Sequence, residues 1–467
     1  MAMLVLILVL AALDQTVLST ALPVMARELP GHLPLAWAFS SYLLAATVVI
    51  LLYGRLADLF GRKPMLLLSI GLFVLGSLAC ALSQNLLQLV LARTLQGAGG
   101  GGLMTLTMLV VADLFSLQER GRYQAMLGAA YGIATMFGPL AGGWLTEHMS
   151  WRWAFSLNVP LGMLAFAVLA ATLRPRRPAA HPAAGRPTVD GAGSLLMAVS
   201  LVALLLATQH DSLDLPKSAS SWLLATVAAI AGAAFLWRQH RAAHPLLPLS
   251  LFGRADYAAA ALLSTATGVA LYAAVVFLPQ YLQIARHLSP TAAAWHLLPL
   301  MAGMTLAAIT SGKLLRARQP PRRLAAIAAG LMVLGFVLLA LAMRFFEDAP
   351  LAISACLAPL GFGVGLLFPI VSVVSQRSAP TTLLGIATAT PVMLRNLGGA
   401  VGVALLASLL HSRMAAGIAP LQWVFACAAG VSGVALLVCR WLPVDLRPVS
   451  AAVPATPSAA AGIGQAA

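Results

Sequence analysis

The sequence predicts an all-α polytopic membrane protein, and its composition, its apolar segments and its distribution of basic residues each favour that fold class. Of its 467 residues, 61% are hydrophobic and 9% are charged, whereas roughly 25% of residues are charged in an average soluble chain. The mean hydropathy is +0.92. This scarcity of charge excludes an ordinary soluble domain.

Apolar segments of about 20 residues, the length that crosses a bilayer as a helix, recur fourteen times along the chain. The predicted spans are 3–23, 38–58, 65–83, 86–112, 123–146, 153–173, 191–209, 220–237, 257–282, 292–314, 324–344, 351–374, 383–409 and 421–441. An even number of spans places both termini on the same side of the membrane. The first span begins almost at Met1, so the sequence leaves open a translation start further upstream.

The basic residues orient this topology. Most of the 28 Lys and Arg residues fall in the loops on the side that holds both termini, and cytoplasmic loops are the ones enriched in such residues. Both termini are therefore predicted to be cytoplasmic. The formal charge of +15 follows from topology, and no nucleic-acid partner is expected. The four cysteines lie within predicted spans, at spacings that match no metal site.

Two similar loops suggest duplicated halves. GRLADLFGRKP at 54–64 follows the second span, and GKLLRARQPPR at 312–322 follows the tenth. Many transporters consist of repeated halves with the substrate site between them. The predicted units are an N-terminal six-helix bundle (1–173), a cytoplasmic linker (174–190), an inserted helix pair (191–237), a C-terminal six-helix bundle (238–442) and a disordered cytoplasmic tail (443–467).

An acidic residue inside the first span indicates function. Asp14 lies in LVLILVLAALDQTVLSTALP, residues 4–23, although a charged side chain at the centre of a membrane costs about 2.5–3.5 kcal/mol. Polar neighbours such as Gln15 and Ser19 cover much of this helix, which predicts that it faces other helices or a wet cavity. A signal peptide is disfavoured, because no basic segment precedes the apolar run.

Arg93, inside the fourth span, is the candidate partner of Asp14. Burial favours the protonated carboxyl group, whereas a nearby cation favours the ionised group. Asp14 and Arg93 are therefore predicted to couple transport to proton loading and release. The alternative is a static ion pair that holds spans one and four together.

Two glycine-containing segments predict moving parts. The candidate cytoplasmic gating motif consists of Gly54, Arg55, Asp58, Gly61, Arg62 and Lys63. Its glycines permit a tight reversal, and its charges can pair with one another or with lipid phosphates. The candidate exporter motif, FGPLAGG at 137–143, consists of Gly138, Pro139, Gly142 and Gly143. A plain basic loop and simple close packing are the respective alternatives.

Other embedded polar residues are candidates for a substrate cavity: Gln15, Ser19, Gln96, Arg395 and Asn396. Arg395 is expected to serve the second half as Arg93 serves the first, to bind an anionic group of the substrate, or to make structural hydrogen bonds. His296 can titrate near the end of a span. No GxxxxGK[ST] motif occurs, so ATP coupling is not expected, and no cofactor is expected beyond the proton gradient as energy source.

Taken in order, these motifs resemble the major facilitator superfamily. GRLADLFGRKP resembles its cytoplasmic signature, and five further segments resemble motifs of its fourteen-span drug/proton antiporter group. They are LDQTVLSTALP (13–23), RTLQGAGGGG (93–102), FGPLAGG (137–143), WRWAFSLNVPLG (151–162) and LPQYLQ (278–283). The family often has a further glycine where this chain has Ala134. The resemblance implies two pseudo-symmetric six-helix bundles with an inserted helix pair, fourteen transmembrane helices in all.

The resemblance also implies a function. It predicts a proton-coupled antiporter of the bacterial inner membrane that exports small amphiphilic drugs or toxic compounds as a monomer by alternating access. Because Asp14 is essentially the single acid expected in the cavity, neutral, monocationic or weakly acidic substrates are favoured over divalent cations. Some relatives work with a periplasmic adaptor and an outer-membrane channel, and the sequence leaves that partnership open.

Other functions are less well supported by the motifs. A narrow-specificity exporter of one metabolite or antibiotic stays possible, and the exporter-like segments argue against an importer. An integral-membrane enzyme is disfavoured, because the sequence contains no GxSxG, HExxH or paired carboxylates at a span end.

Overall fold

The computed structural model describes residues 1–30, 36–114, 117–173, 190–208, 220–242, 245–316, 319–345, 350–379, 383–415 and 420–444. The regular elements in these residues are all helices, which confirms the predicted fold class. The predicted linker and tail lie outside the described residues, apart from Asp190 at the end of the linker and residues 443–444 at the start of the tail.

Within the described residues, seven helices form the N-terminal half: α1 (Ala2–Glu28), α2 (Ala36–Phe60), α3 (Arg62–Ala81), α4 (Leu86–Leu114), α5 (Leu117–His148), α6 (Arg152–Ser156) and α7 (Asn158–Thr172). The inserted pair consists of α8 (Gly191–Thr208) and α9 (Ser220–Arg241). The C-terminal half consists of α10 (Ala255–Ile284), α11 (Pro290–Trp295), α12 (Leu298–Arg316), α13 (Pro321–Phe345), α14 (Pro350–Ala355), α15 (Leu357–Arg377), α16 (Leu384–Ala415) and α17 (Pro420–Val438).

Every predicted span falls on one or two of these helices. Twelve segments of the described chain are long and apolar enough to cross a bilayer by length and composition, so the chain is a multi-pass integral membrane protein. Two of the fourteen predicted spans are not among these twelve segments. One corresponds to α5, and the other to α8, whose apolar part, Gly191–Ala207, is shorter than a full span. A total of fourteen crossings therefore stays a prediction.

Three predicted spans are each interrupted by a break that the apolar pattern did not reveal. The helix pairs α6–α7, α11–α12 and α14–α15 replace the continuous spans predicted over 153–173, 292–314 and 351–374. Pro160, Pro299 and Pro359 follow the three breaks. A proline clashes with the carbonyl group four residues earlier, and each short helix ends four residues before its proline, at Ser156, Trp295 and Ala355.

The two halves repeat the same packing. In the N-terminal half α1 packs on α5, and both α2 and α3 pack on α4. In the C-terminal half α10 packs on α16, and both α12 and α13 pack on α15. The halves meet where α2 packs on α16 and where α5 packs on α11 and α12. This exchange of equivalent helices produces a pseudo-two-fold arrangement with a central seam.

The inserted pair lies beside this seam. Helix α8 packs on α9 and contacts both α2 and α16, whereas α9 leaves Trp222 and Ile230 well exposed, as expected of a lipid-facing helix. The Asp190 carboxylate joins the pair: it accepts hydrogen bonds from the Gly193 N–H at 2.9 Å and from Gln239 Nε2 at 2.8 Å, and it pairs with Arg238.

Candidate functional site

A buried ion pair lies inside the N-terminal half. Arg93 Nη1 on α4 donates to Asp14 Oδ2 on α1 at 2.7 Å. Asp14 is 4% exposed and Arg93 is fully buried. The predicted partner of Asp14 therefore contacts it directly, and both charged groups are shielded from solvent.

Two amide side chains complete the surroundings of the Asp14 carboxylate. Gln96 Nε2 donates to Asp14 Oδ1 at 2.7 Å and to Ser77 Oγ at 2.8 Å. Asn158 Nδ2, at the start of α7, donates to the same Asp14 oxygen at 3.0 Å. The carboxylate thus accepts three hydrogen bonds, from Arg93, Gln96 and Asn158. The sequence did not single out Asn158 or Ser77.

Arg93 also has partners other than Asp14. Its Nη1 donates to Gln96 Oε1 at 2.6 Å, and its Nε donates to the Ala38 carbonyl oxygen at 3.1 Å. Its guanidinium lies 4.3 Å from the centre of the Tyr42 ring, a distance at which cations are attracted to aromatic faces. The arginine is therefore held even where the carboxylate changes its charge.

Glycines on the packed helices allow these contacts, and they recur in the second half. A Cβ atom at Gly97 of α4 would collide with the Tyr42 backbone, and one at Gly361 of α15 would collide with the Leu300 backbone. Three close contacts of the N-terminal half have a counterpart in the C-terminal half. The contact of Gly76 with Gln96 matches that of Gly335 with Leu360, the contact of Gly97 with Tyr42 matches that of Gly361 with Leu300, and the contact of Gly138 with Thr16 matches that of Gly398 with Thr265. They fix the register between the halves.

In this register the second half lacks the polar network. Gly54 matches Gly312, which agrees with the loop similarity found in the sequence. The counterparts of Asp14, Arg93, Gln96 and Ser77 are Leu263, Leu357, Leu360 and Phe336, and all four of these apolar residues are fully buried. The ion pair is a feature of one half, on a scaffold that the other half builds with apolar side chains.

A cavity lies between the halves, on the other side of α1 from the ion pair. Its lining consists of Gln15, Thr16, Tyr131, Thr135, Leu271, Tyr272, Val275, Met301, Met304, Phe368 and Arg395. Of the two environments predicted for this part of α1, other helices or a wet cavity, Asp14 has the first, and the expectation that it is the acid of the cavity is wrong because it is not part of the described lining. Asp14 faces α4 and α7, and Gln15 faces the cavity.

The predicted cavity residues divide into two groups. Gln15 and Arg395 line the cavity, and Tyr131 Oη donates to Gln15 Oε1 at 3.1 Å. Ser19, Gln96 and Asn396 are buried outside the lining. Ser19 bonds the Thr16 carbonyl oxygen within its own helix, and Gln96 belongs to the ion-pair network.

The two embedded arginines are not equivalent, contrary to one of the predictions for Arg395. Arg93 lies on α4, which matches α15, whereas Arg395 lies on α16, which matches α5. The guanidinium of Arg395 lies 4.7 Å from the centre of the Phe368 ring, and its buried Nε has no hydrogen-bond partner in the described structure.

The exporter motif packs on the helix that carries Asp14. A Cβ atom at Gly138 would collide with Thr16 Oγ1, and one at Gly142 would lie 2.8 Å from Thr20 Oγ1. The Pro139 carbonyl oxygen accepts a hydrogen bond from Thr20 Oγ1 at 3.3 Å. Gly143 instead faces the other half, because its Cβ would lie 2.6 Å from the Pro290 carbonyl oxygen.

The gating motif is described in part. Gly61 has a φ of 91° between α2 and α3, a conformation that favours glycine. Lys63 Nζ donates to the Ala170 carbonyl oxygen near the end of α7 at 2.6 Å, a contact within the N-terminal half. The side chains of Arg55 and Asp58 lie outside the described part of the structure. His296, in the break between α11 and α12, contacts Ser354 Oγ.

Sequence comparisons with known proteins place the chain in a family. The sequence profile of the Major Facilitator Superfamily matches residues 4–403. An uncharacterised MFS-type transporter of Mycobacterium tuberculosis is 36% identical over 400 residues, which are 84% of this chain and 56% of that protein. The multidrug transporter protein MdtP of Bacillus subtilis is 30% identical over 407 residues, 86% of this chain and 73% of MdtP.

Solved structures share the fold at low sequence identity. A D-xylose–proton symporter superposes with a TM-score of 0.67 and 17% identity, over 95% of this chain and 97% of the symporter. An autoinhibited POT family peptide transporter gives a TM-score of 0.65 at 18% identity, over 96% and 99% of the two chains. The chain spans a little over half the length of its mycobacterial relatives, 56%.

Proposed function

Because this chain belongs to the Major Facilitator Superfamily, we propose that it is a proton-coupled antiporter that exports small amphiphilic compounds by alternating access. In this proposal it lies in the bacterial cytoplasmic membrane with both termini in the cytoplasm. The names of two relatives, a multidrug transporter and the efflux pump dotC of Dothistroma septosporum, support export.

The observation that carries the proposal is the position of the Asp14–Arg93 pair on the reverse side of a cavity-lining helix. Asp14 accepts hydrogen bonds from Arg93, Gln96 and Asn158, while the next two residues of α1, Gln15 and Thr16, line the cavity. A substrate in the cavity and a proton on Asp14 therefore both act on helix α1.

The two states of Asp14 differ in what they leave unpaired. When Asp14 is ionised, it keeps its ion pair with Arg93. When Asp14 takes a proton, Arg93 loses its counter-charge, and a buried charge without a partner is strongly destabilising. Gln96, the Ala38 carbonyl oxygen and the Tyr42 ring soften that cost, so protonation shifts the balance between conformations rather than unfolding the bundle.

Packing around α1 gives this shift a route. Gly138 and Gly142 of α5 lie against Thr16, Val17 and Thr20, and in this proposal the close contact makes α1 and α5 move together. Helix α5 in turn contacts α11 and α12 of the other half. A change at Asp14 can therefore alter the seam between the halves, which is where alternating access requires movement.

The test is transport in proteoliposomes with an acidic interior, using three aromatic fluorophores that carry a cationic, a neutral and an anionic group. We expect the unaltered protein to accumulate at least one of them when the pH gradient is imposed. Asp14→Asn should abolish this accumulation and keep gradient-independent exchange of the same fluorophore, because binding and movement need no proton there.

Asp256→Asn is the matched control. Asp256 lies at the start of α10, outside the network of Asp14. It accepts hydrogen bonds from the Tyr257 N–H and from Ser378 Oγ. This variant should transport as the unaltered protein does. Equal gradient-driven accumulation by Asp14→Asn, or no accumulation of any fluorophore by the unaltered protein, would overturn the proposal.

A further inference from the structure

The charge of the central cavity points to a class of substrate. Arg395 carries the single formal charge among the residues that line the described cavity. We propose that Arg395 binds an anionic group of the substrate, so that the preferred cargo is an aromatic amphiphile with a carboxylate or a similar anion. This inference rests on the proposed transport function and names the substrate for its cavity.

Within the described residues, no ion pair neutralises the charge of Arg395. The lining of the described cavity also contains no acidic side chain.

Arg395 is partly buried, and its Nε is a buried donor without an acceptor in the described structure. A buried donor without a partner is unfavourable, and a ligand that brings an acceptor removes that cost. The planar guanidinium of arginine fits two carboxylate oxygens at once, which makes it the preferred side chain for such anions. The Phe368 ring supports the guanidinium from one side at 4.7 Å, and an arginine held in one plane loses less freedom when it binds.

The rest of the lining suits an aromatic body. Met301, Met304 and Phe368 present apolar, partly adaptable surface, and two tyrosines, Tyr131 and Tyr272, add aromatic rings. Methionine and aromatic side chains together form favourable contacts with flat apolar ligands. Gln15 and Thr16 complete the opposite wall, so an amphiphile anchored on Arg395 reaches the helix that carries Asp14.

The cavity thus corrects an earlier expectation about charge. The sequence favoured neutral, monocationic or weakly acidic compounds over divalent cations, because Asp14 was expected to be essentially the single acid of the cavity. With Asp14 turned into the N-terminal half and Arg395 facing the cavity, an organic cation would meet an uncompensated like charge there. The described lining therefore favours the binding of anionic compounds.

Three probes with one body test the inference: anthracene-9-carboxylate, the neutral anthracene-9-carboxamide and the cationic 9-(aminomethyl)anthracene. Each is titrated against the purified full chain in neutral detergent, with binding followed by fluorescence and no pH gradient present. We expect the carboxylate to bind at least about tenfold more tightly than the amide, as charge-assisted hydrogen bonds would give.

Substitutions separate the anion contact from general folding. Arg395→Gln should weaken carboxylate binding about tenfold or more and change amide binding by less than about twofold. Arg395→Lys should fall between the two, because it keeps the charge without the planar fork. Arg241→Gln is the control, since Arg241 stacks on Trp237 at the end of α9, outside the cavity lining, and it should leave all three affinities unchanged.

Several outcomes would overturn the inference: tighter binding of the ammonium probe, no binding of the carboxylate, or equal carboxylate affinity in Arg395→Gln. An anionic lipid such as short-chain phosphatidylglycerol is added in a parallel titration, and binding of this lipid without binding of the carboxylate probe also counts against the inference.

Because these titrations use no gradient, Arg395-dependent binding without gradient-driven accumulation would count against the antiport mechanism alone. Gradient-driven transport without carboxylate selectivity would count against the substrate class alone.

Discussion

At the scale of single residues, the Asp14–Arg93 pair is not explained by stability. Replacing a buried ion pair by well-packed apolar residues is often neutral or stabilising by about 1–4 kcal/mol. The second half makes that replacement within the same chain, with Leu263 and Leu357 in the matching positions, both fully buried. The equivalent helices pack there without an ion pair at these positions, so packing stability alone does not account for the polar network of the first half.

The three donors to Asp14 allow a test of its charge in this conformation. Asn158→Ala removes the Nδ2 donor that lies 3.0 Å from Asp14 Oδ1. A hydrogen bond to a charged group contributes about 1.5–3 kcal/mol, about twice a neutral one. In a double-mutant cycle with Asp14→Asn, measured by the free energy of unfolding in detergent, we expect a coupling energy of about 1–2 kcal/mol.

A matched pair shows whether that coupling is specific. Thr146→Ala removes a buried hydroxyl of α5 that bonds the Gly142 carbonyl oxygen, and its effect should add to that of Asp14→Asn within about 0.5 kcal/mol. If Asn158→Ala were equally additive with Asp14→Asn, the amide would contribute nothing specific to the carboxylate, and the interpretation of an ionised, three-donor site would fail.

At the scale of elements, the Asp190 carboxylate joins the two helices of the inserted pair, which also pack directly on each other. Asp190 precedes α8, accepts the Gly193 N–H as a helix cap, and binds Gln239 and Arg238 of α9. Burial by itself would raise the pKa of the Asp190 carboxyl group. The hydrogen bonds from Arg238, Gly193 and Gln239 outweigh burial and hold that pKa below its ordinary value.

Two substitutions at Asp190 separate the cap from the charge. Asparagine is also a good cap, whereas alanine costs about 0.5–2 kcal/mol at such a position. We expect thermal stability in detergent to fall in the order unaltered protein, Asp190→Asn, Asp190→Ala. Ser200→Ala, which removes a hydroxyl bonded from α8 to the Ala228 carbonyl oxygen of α9, controls for the loss of one neutral contact.

The sign of the pH dependence follows from the lowered pKa. An acid whose folded-state pKa is depressed stabilises the fold above its unfolded pKa, about 3.9 for aspartate, and loses that contribution as pH falls through the folded-state value. The difference in stability between the unaltered protein and Asp190→Asn should therefore be full at neutral pH and shrink below about pH 4. A difference that grew on acidification would contradict the contacts assigned to Asp190.

At the scale of the whole molecule, the sequence predicts the class of fold and the main pair but not the facing of side chains. The fold class and the family are confirmed. Asp14 and Arg93 were found because charges are so rare within the spans that the two stand out. Gln96 was placed in the cavity because a sequence gives a residue's place along a helix and leaves the rotation of that helix open.

What the sequence missed has physical reasons. Asn158 and Ser77 are single polar residues in apolar spans, and such residues more often bond their own backbone than a distant carboxylate. The three broken spans were missed because hydropathy is continuous through Pro160, Pro299 and Pro359. Beyond the two similar loops, the residue-by-residue matching of the halves follows from close contacts such as those of Gly97 and Gly361 with neighbouring backbones.

We expect closure of the molecule to depend on contacts between the halves at the end of the bundle where α1 and α5 finish. There Gln283 Nε2 donates to the Thr20 carbonyl oxygen at 2.9 Å, and Glu147 Oε2 accepts the Thr291 N–H of α11 at 3.1 Å. Thr20 lies one turn beyond the cavity-lining Thr16 on α1. These contacts therefore close that end of the cavity in the conformation described.

Glu147 offers the clearest handle on this closure, because it is exposed and lies past the predicted end of its span. Hydrogen bonds from Thr291 and Ser289 lower the pKa of its carboxyl group, and His148, the neighbouring titratable residue, acts in the same direction. The contact with α11 is thus stronger for the ionised acid. It should weaken as pH falls through the lowered pKa, below the ordinary glutamate value of about 4.3.

Spin labels at the exposed positions 149 and 295, in a variant without the four native cysteines, would report the separation of the halves. We expect Glu147→Ala to raise the population of longer distances at neutral pH, because α11 loses the acceptor that joins it to α5. Gln88→Ala, whose side chain accepts the Gln84 N–H within the N-terminal half, should leave the distances unchanged. If both variants gave the distribution of the unaltered protein at every pH, the carboxylate would be a bystander, and closure would depend on the packing of Gly143 against Pro290 and on the Gln283–Thr20 bond.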